Sequence, residues 1–429
     1  MSNYNEQLDR NNSHSTIDLE ASRELKSKHR KDEERQNYTQ PSPKFNSSVS
    51  ELSDGPSGNF QMTSDEYEEE RMHVFKVMTA LKNYPNHMSM MINRVDRNFL
   101  KLTPEHRQML PDFSDRLHRL KAAIKTNTDF INTILSSCDQ VFVNSDVANR
   151  SDLDLANASI NDKTLQPSLT KMDIDKVITT LKQFYRDWSK EGQKERDLCY
   201  KPILDSIQSY YSNSTLRSSI KILVPGCGLA RLAFELAREG YTCQGNEFSM
   251  YMLLASNFIL NSGSDVYQHT IYPWVHSQLN CWSVEDQFTP VRIPDVCPDS
   301  LPKPGNFSMT AGDFLIVYKD DNNQWDCVTT CYFIDTAHNI IEYIECINRI
   351  LKPGGLWINF GPLLYHFAEI CNEFSIELTY ADIIKIMTKD LKFELLEERN
   401  IPSTYIENPN SMLTYQYHCA FFVARKTIL

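Results

Sequence analysis

ILVPGCGLARLAFELAREGYTCQGNEFS, from Ile222 to Ser249, is the stretch whose reading decides the fold. An apolar run closes on a proline and two near-adjacent glycines. Apolar residues at helical spacing follow, then a glycine stop and a second strand-like run. Such a strand–turn–helix–strand unit holds adenosine-containing cofactors. A dinucleotide fingerprint would read G-x-G-x-x-G. Gly226 and Gly228 fit it, but Arg231 takes the third glycine position. No Lys-Ser/Thr pair follows the turn, which excludes a P-loop. A short glycine turn without room for pyrophosphate suits S-adenosylmethionine, whose methionine part passes close to bare backbone. Glu247 closes the second strand, where a carboxylate reaches ribose hydroxyls. Taken alone, the glycines equally mark an ordinary strand-to-helix turn.

Outward from this unit, strands and helices alternate, which implies a parallel sheet. The helix SMYMLLASNFILN and a long insert lead to the apolar run WDCVTTCYFID, read as a fourth strand ending at Asp335. Then come the helix HNIIEYIECINRIL, a turn KPGG and the strand LWINFG. The tail offers a helix near YADIIKIMTKDL and two strand-like runs, KFELLEE and YQYHCAFFVAR. The expected fold is α/β: a Rossmann-like, seven-stranded class I methyltransferase sheet ending in an antiparallel pair. Leading helices and the sheet make a domain over 169–429. Ahead of it, 151–168 reads as a linker and 65–150 as a helical region, with apolar residues three and four apart in MHVFKVMTALKNY and DRLHRLKAAIKTNTDFINTIL. Residues 1–64 are poor in large apolar side chains and cannot bury enough surface to offset their ordering entropy, so a disordered arm is expected there.

The formal charge of −12 argues against nucleic acid as a partner. The eleven cysteines include no CxxC pair, and several stand in apolar runs, which suits reduced thiols of the cytosol, with the nucleus as a second compartment, better than disulfides. KSKHRK (Lys26 to Lys31) reads first as a solvated charge run. No apolar run reaches the roughly 18 residues of a membrane span, and no apolar signal core opens the chain. No histidine spacing suits a metal.

PGCGLARLAFELA, GYTCQGNEFS, YPWVH, NFSMTAGDF, FIDTAHNIIEYIE, LKPGGLWINFGPLLYH and YQYH, together with LKQFYRDWSKEGQKERDLCY upstream, resemble the carnosine N-methyltransferase family. The resemblance implies a class I methyltransferase with an added helical N-terminal region. It implies transfer of a methyl group from S-adenosylmethionine to the imidazole of carnosine, a small dipeptide, giving anserine. For the cofactor it points to Gln183 and Arg186, one helical turn apart, as holders of the methionine carboxylate. Gly226 and Gly228 give close approach, and Glu247 accepts from the ribose. Asp313 and Phe314 become the adenine pair, and Cys327 stands near the cofactor. On the substrate side it points to Asp335 as the catalytic carboxylate, which would fix the imidazole tautomer and stabilise charge growing on the ring. His366, Tyr415 and Tyr417 are further substrate contacts, the tyrosines two apart in one strand and so on one face. Outside the resemblance each has a plainer reading: Asp335 as a helix cap, His366 as structural, Cys327 as core, the tyrosines as a cross-strand pair. Val224, where many methyltransferases have an acidic residue, and Ala230, in place of a third small glycine, depart from the common pattern. A homodimer fits the resemblance. A protein histidine methyltransferase, or a non-catalytic partner keeping the cofactor fold, are the competing functions.

Overall fold

The computed structural model describes residues 64–143, 167–301 and 306–428. The expected arm, save Ser64, and the linker up to 166 lie outside the described residues. Residues 64–369 and 374–428, as far as described, belong to one compact unit.

Two long helices, α1 (Ser64–Leu100) and α2 (Phe113–Val143), lead into α3 (Lys171–Trp188) and α4 (Gln193–Tyr210). A capping box starts α3: Asp173 N donates to Thr170 Oγ1 (3.3 Å), and Thr170 N donates to Asp173 Oδ2 (2.8 Å). Lys76 of α1 pairs with the same carboxylate at 3.3 Å, so the cap also fixes the α1–α3 contact.

The alternating part then runs β1 (Lys221–Pro225), α5 (Arg231–Arg238), β2 (Thr242–Glu247), α6 (Met250–Asn261), β3 (Phe307–Ala311), β4 (Trp325–Cys331), α7 (Ile340–Ile350), β5 (Leu351–Gly361), α8 (Tyr380–Lys385), β6 (Phe393–Ser403) and β7 (Tyr417–Lys426). The seven strands order as β3-β2-β1-β4-β5-β7-β6. The first five are parallel, and β7 runs antiparallel to both its neighbours. This is the expected class I methyltransferase sheet. β6 is an edge strand, and its Glu394, Glu397, Glu398 and Arg399 are the charged residues that keep such an edge from pairing further.

Side chains alternate across the sheet with period two. Ile222, Val224, Leu356, Ile358, Phe421 and Val423 face α4 and α5, while Leu223, Trp357 and Phe422 pack in a second core with α7. A third core joins α1 and α2 to α3, α6 and the insert before β3. The insert segment Tyr272–His276 is gripped there by polar groups. Asn127 of α2 takes Tyr272 N (2.7 Å) and donates to Tyr272 O (3.0 Å). Asn127 also donates to Tyr84 Oη (3.2 Å), which lies 2.7 Å from His276 Nε2. YPWVH is thus the place where the N-terminal helices grip the sheet domain.

Three local expectations change. KPGG is a bulge inside β5 and not a turn before it: Leu351 already pairs with Trp325, and pairing resumes at Leu356 with Cys327. Helix α5 starts at Arg231, because Ala230 sits in the left-handed region at φ +65°. Strand β4 ends at Cys331; Asp335 stands four residues later, in a short 3-10 turn (Ile334–Thr336).

Candidate active site

The chain turns from β1 toward β2 on one side, and β4 lies on the other, so the carboxyl ends of β1 and β4 leave the crevice in which open α/β sheets bind ligands. The glycine turn forms its floor. Gly226 and Gly228 have φ of +63° and +56°. A Cβ on Gly226 would run into the Phe333 ring, which makes glycine obligatory there. At Gly228 a Cβ would point at Gln183 Nε2 (3.6 Å) and Asp187 Oδ2 (3.9 Å), so bare backbone faces an amide and a carboxylate of α3. Glu247 closes the turn against β2. Its Oε2 accepts from Gly228 N (2.8 Å), its Oε1 from Phe248 N (2.9 Å) and Ser249 N (2.7 Å). Burial pushes this carboxyl above its ordinary range, and the three amides pull it back.

Helix α3 is fastened over the turn. Trp188 Nε1 donates to Leu229 O (3.0 Å), and Arg231 Nη1 donates to Asp187 O and Asp295 Oδ1, both at 2.6 Å. That is why the third glycine position of the dinucleotide pattern carries arginine: the side chain clamps α3 onto the turn. Arg186, buried, donates from Nε to Glu195 Oε1 (2.8 Å) and from Nη1 to Asp187 Oδ1 and Tyr200 Oη (both 2.9 Å). Its Nη2 turns to Cys199 Sγ (3.3 Å), and its guanidinium carbon stands 4.9 Å from the Tyr405 ring centre. Burial alone would lower its pKa, but Tyr200, Cys199 and Asp187 hold it well above its ordinary value. Arg186 is therefore the hub of an ion-pair network and not a free cation. Gln183 Nε2 donates to Asp187 Oδ2 (3.1 Å).

Just after β3, Gly312 N donates to Glu247 O (2.9 Å), which sets Asp313 close to the end of β2. Asp313 Oδ1 caps the next turn, taking Leu315 N (2.9 Å) and Ile316 N (3.1 Å). Phe314 is only 2% exposed and stands edge-on to Phe333 and Tyr343. Its ring packs into the wall of the crevice beside Asp313.

Cys327 sits in the core, its plainer reading. It is 0% exposed, paired between Ile222 and Leu356 inside the sheet core, four residues short of the crevice edge. Core residues surround it, and burial pushes its thiol up. The cysteine at the carboxyl end of β4 is Cys331, hydrogen-bonded to Cys199 and within electrostatic reach of Arg186.

Beyond Cys331 the backbone kinks at Tyr332 (φ +53°) and turns back through Asp335. Asp335, 3% exposed, accepts Leu364 N at Oδ2 (2.8 Å), and its carbonyl accepts His366 N (3.0 Å). Burial raises its carboxyl pKa, while the Leu364 amide and nearby His366 lower it. The segment after β5 thus folds His366 against Asp335, with the histidine on the exposed side. Tyr417 opens β7 opposite Ser403 and shares a strand face with Cys419, whose Sγ is 3.6 Å from Tyr332 Oη. Tyr415 does not share that face: it precedes the strand and is 69% exposed.

Four residues of this site escaped the sequence reading. Asp187 follows Gln183 by four on one helix face, and Cys331 follows Cys327 by four on one strand face, so periodicity held a signal for both. Glu195 and Tyr405 reach the site only through tertiary contacts.

The profile of the family described as carnosine N-methyltransferase matches residues 163–428. The carnosine N-methyltransferase of Mus musculus is 46% identical over 84% of this chain and 88% of its own length. That of Schizosaccharomyces pombe is 37% identical over 84% of this chain and 97% of its own. A solved SAM-dependent methyltransferase from Methanosarcina mazei superposes with a TM-score of 0.32 at 14% identity, over 49% of this chain and 93% of that one.

Proposed function

The chain belongs to the carnosine N-methyltransferase family, and on that premise we propose that it transfers a methyl group from S-adenosylmethionine to an imidazole nitrogen of carnosine, giving anserine. The residues of the crevice fit that cofactor: two glycines leave the turn bare where the α3 amide and carboxylate converge, and an acidic residue ends β2. Gln183, Arg186 and Asp187 would hold its methionine end, Glu247 its ribose and Asp313 its base. The bound cofactor supplies an electrophilic methyl group on a sulfonium sulfur.

This chain's own work is done mainly at the exit of β4, and one observation carries the reading: a buried carboxylate, Asp335, with one oxygen satisfied by Leu364 N–H. The imidazole of carnosine titrates near 6.5 and is largely neutral at neutral pH. Asp335 Oδ1 would accept the N–H of the non-attacking nitrogen, which selects one tautomer and leaves the other lone pair aimed at the methyl group. Burial strengthens this carboxylate as an acceptor, so it also stabilises the positive charge that grows on the ring. His366 adjoins it, and His366 and Tyr417 would be further substrate contacts. Positioning in a dry cleft supplies the rest.

The test is Asp335→Asn, which keeps shape and removes charge. Turnover of carnosine, followed by mass spectrometry as gain of one methyl group, should fall roughly a hundred- to a thousandfold, with cofactor affinity by calorimetry little changed. A folded variant with wild-type single-turnover rates would refute the role.

A further inference from the structure

The segment joining β6 to β7 passes over this site, and a single side chain ties it down. Glu195, in the first turn of α4, is 6% exposed. Its Oε1 accepts from Arg186 Nε (2.8 Å) and Ile406 N (2.9 Å). Its Oε2 accepts from Glu407 N (3.0 Å) and Thr404 Oγ1 (3.2 Å). Three of the four donors belong to residues 404–407. Ile406 lies in the left-handed region at φ +54°. A β-branched residue is a true outlier there, and such strain persists only where the surroundings over-determine it. The carboxylate of Glu195 is the group that does so.

Between these tied residues stands Tyr405. Its ring centre is 4.7 Å from that of Tyr332, at the exit of β4, and its Oη is 3.4 Å from Gln183 Oε1. Arg186 lies across its face, yet the side chain is 41% exposed. The ring thus has Tyr332, Gln183 and Arg186 on one side and solvent on the other. The far end of the same segment is bonded to the insert, with Met412 N donating to Asn280 O (2.7 Å) and Cys281 bridging to Ser411. The strap is thus held at both ends, and its near end shares one carboxylate with Arg186.

We propose that Glu195 is a positioning residue: it holds Arg186 and residues 404–407 in one register, so that Tyr405 walls the substrate side of the crevice. The proposal rests on the reading that carnosine occupies the Asp335 end and the cofactor the Gln183–Arg186 end. It makes the strap a determinant of substrate affinity more than of the chemical step, because Tyr405 borders the site while Asp335 faces the reacting ring.

The test compares wild-type protein with E195Q and T404V. T404V removes one donor to Glu195 and leaves Arg186 untouched. Loss of hydrogen bonds to a charged acceptor predicts a rise in KM for carnosine of about tenfold or more in E195Q. The rise should be smaller in T404V, with kcat in both falling much less than KM rises and cofactor affinity unchanged in T404V. Amide hydrogen exchange gives a readout that needs no substrate: Ile406 and Glu407 should exchange faster in E195Q. A purely structural role would lower the thermal midpoint without separating KM from kcat. Wild-type KM in folded E195Q, or unaltered exchange at Ile406 and Glu407, overturns the proposal; should E195Q fail to fold, an unaltered KM in T404V does so. A wild-type protein that binds S-adenosylmethionine but leaves carnosine unmodified overturns the proposed function instead, and the exchange result then decides alone whether Glu195 ties down the strap.

Discussion

Two cysteines four residues apart in β4 separate packing from function. Cys327 is enclosed between Ile222 and Leu356, whereas Cys331 reaches the crevice edge beside Cys199 and Arg186. Cys327→Ser would bury a hydroxyl in an apolar setting, at a cost of about 1–3 kcal/mol. Denaturation should report that loss, while calorimetric affinity for S-adenosylmethionine stays at the wild-type value. Cys331→Leu should do the reverse, weakening cofactor affinity several-fold through bulk at the strand end with a small stability change. A fall in affinity for the first variant and none for the second would return Cys327 to the site. Motif resemblance names a residue by its place in a string. Which of two same-face cysteines meets a ligand depends on where the strand stops.

At the scale of elements, the turn into α5 and the grip on the insert make separate claims. Ala230 holds the left-handed cap position of α5, which costs a residue with a Cβ about 1–2 kcal/mol. Glycine removes that cost but is more flexible when unfolded, by about 0.5–1 kcal/mol. Ala230→Gly should therefore stabilise by up to about 1.5 kcal/mol, read as a higher midpoint in chemical denaturation; a lower midpoint would mean that the methyl group's packing outweighs the strain. The grip on the insert depends on a neutral imidazole. His276 lies with Nδ1 3.4 Å from Pro273 O and Nε2 2.7 Å from Tyr84 Oη. Nδ1–H donates to the carbonyl, and Nε2 accepts from the phenol, whose oxygen takes the Asn127 amide. Burial, with Lys182 nearby, pushes the His276 pKa down to about 3. A base with a lowered folded pKa leaves the unfolded chain binding more protons between about pH 6.5 and 3. Stability from this group is therefore complete above pH 6.5 and lost as the pH falls. By pH 5 the loss should be about 2 kcal/mol. Thermal midpoints should drop over that window in the wild type and follow a flatter slope in His276→Gln; equal slopes would remove His276 from the account.

At the scale of the molecule, the described cores draw on residues from Val74 onward and bind α1 and α2 to α3, α6 and the insert. Deleting residues 1–63 should leave a soluble protein with wild-type kcat/KM for carnosine, whereas deleting through α2 should expose the apolar faces of α3 and α6 and give an insoluble product. An inactive or insoluble short deletion would show that the first residues belong to the fold. The sheet was legible in the sequence because period-two strands, helical apolar spacing and a glycine turn are local signals. The glycine turn, Glu247 and the seven-strand class follow from them. Asp335 and His366 were named from motif resemblance, and folding brought them together. Local patterns could not show that Arg231 clamps α3, that KPGG bulges within β5, or that Tyr415 falls short of β7. Nor could they show that Glu195 and Tyr405, more than two hundred residues apart, meet over Arg186. Those contacts join elements distant in the chain, and their energies depend on shared burial and charge that exist only after the sheet, α3 and the strap have come together.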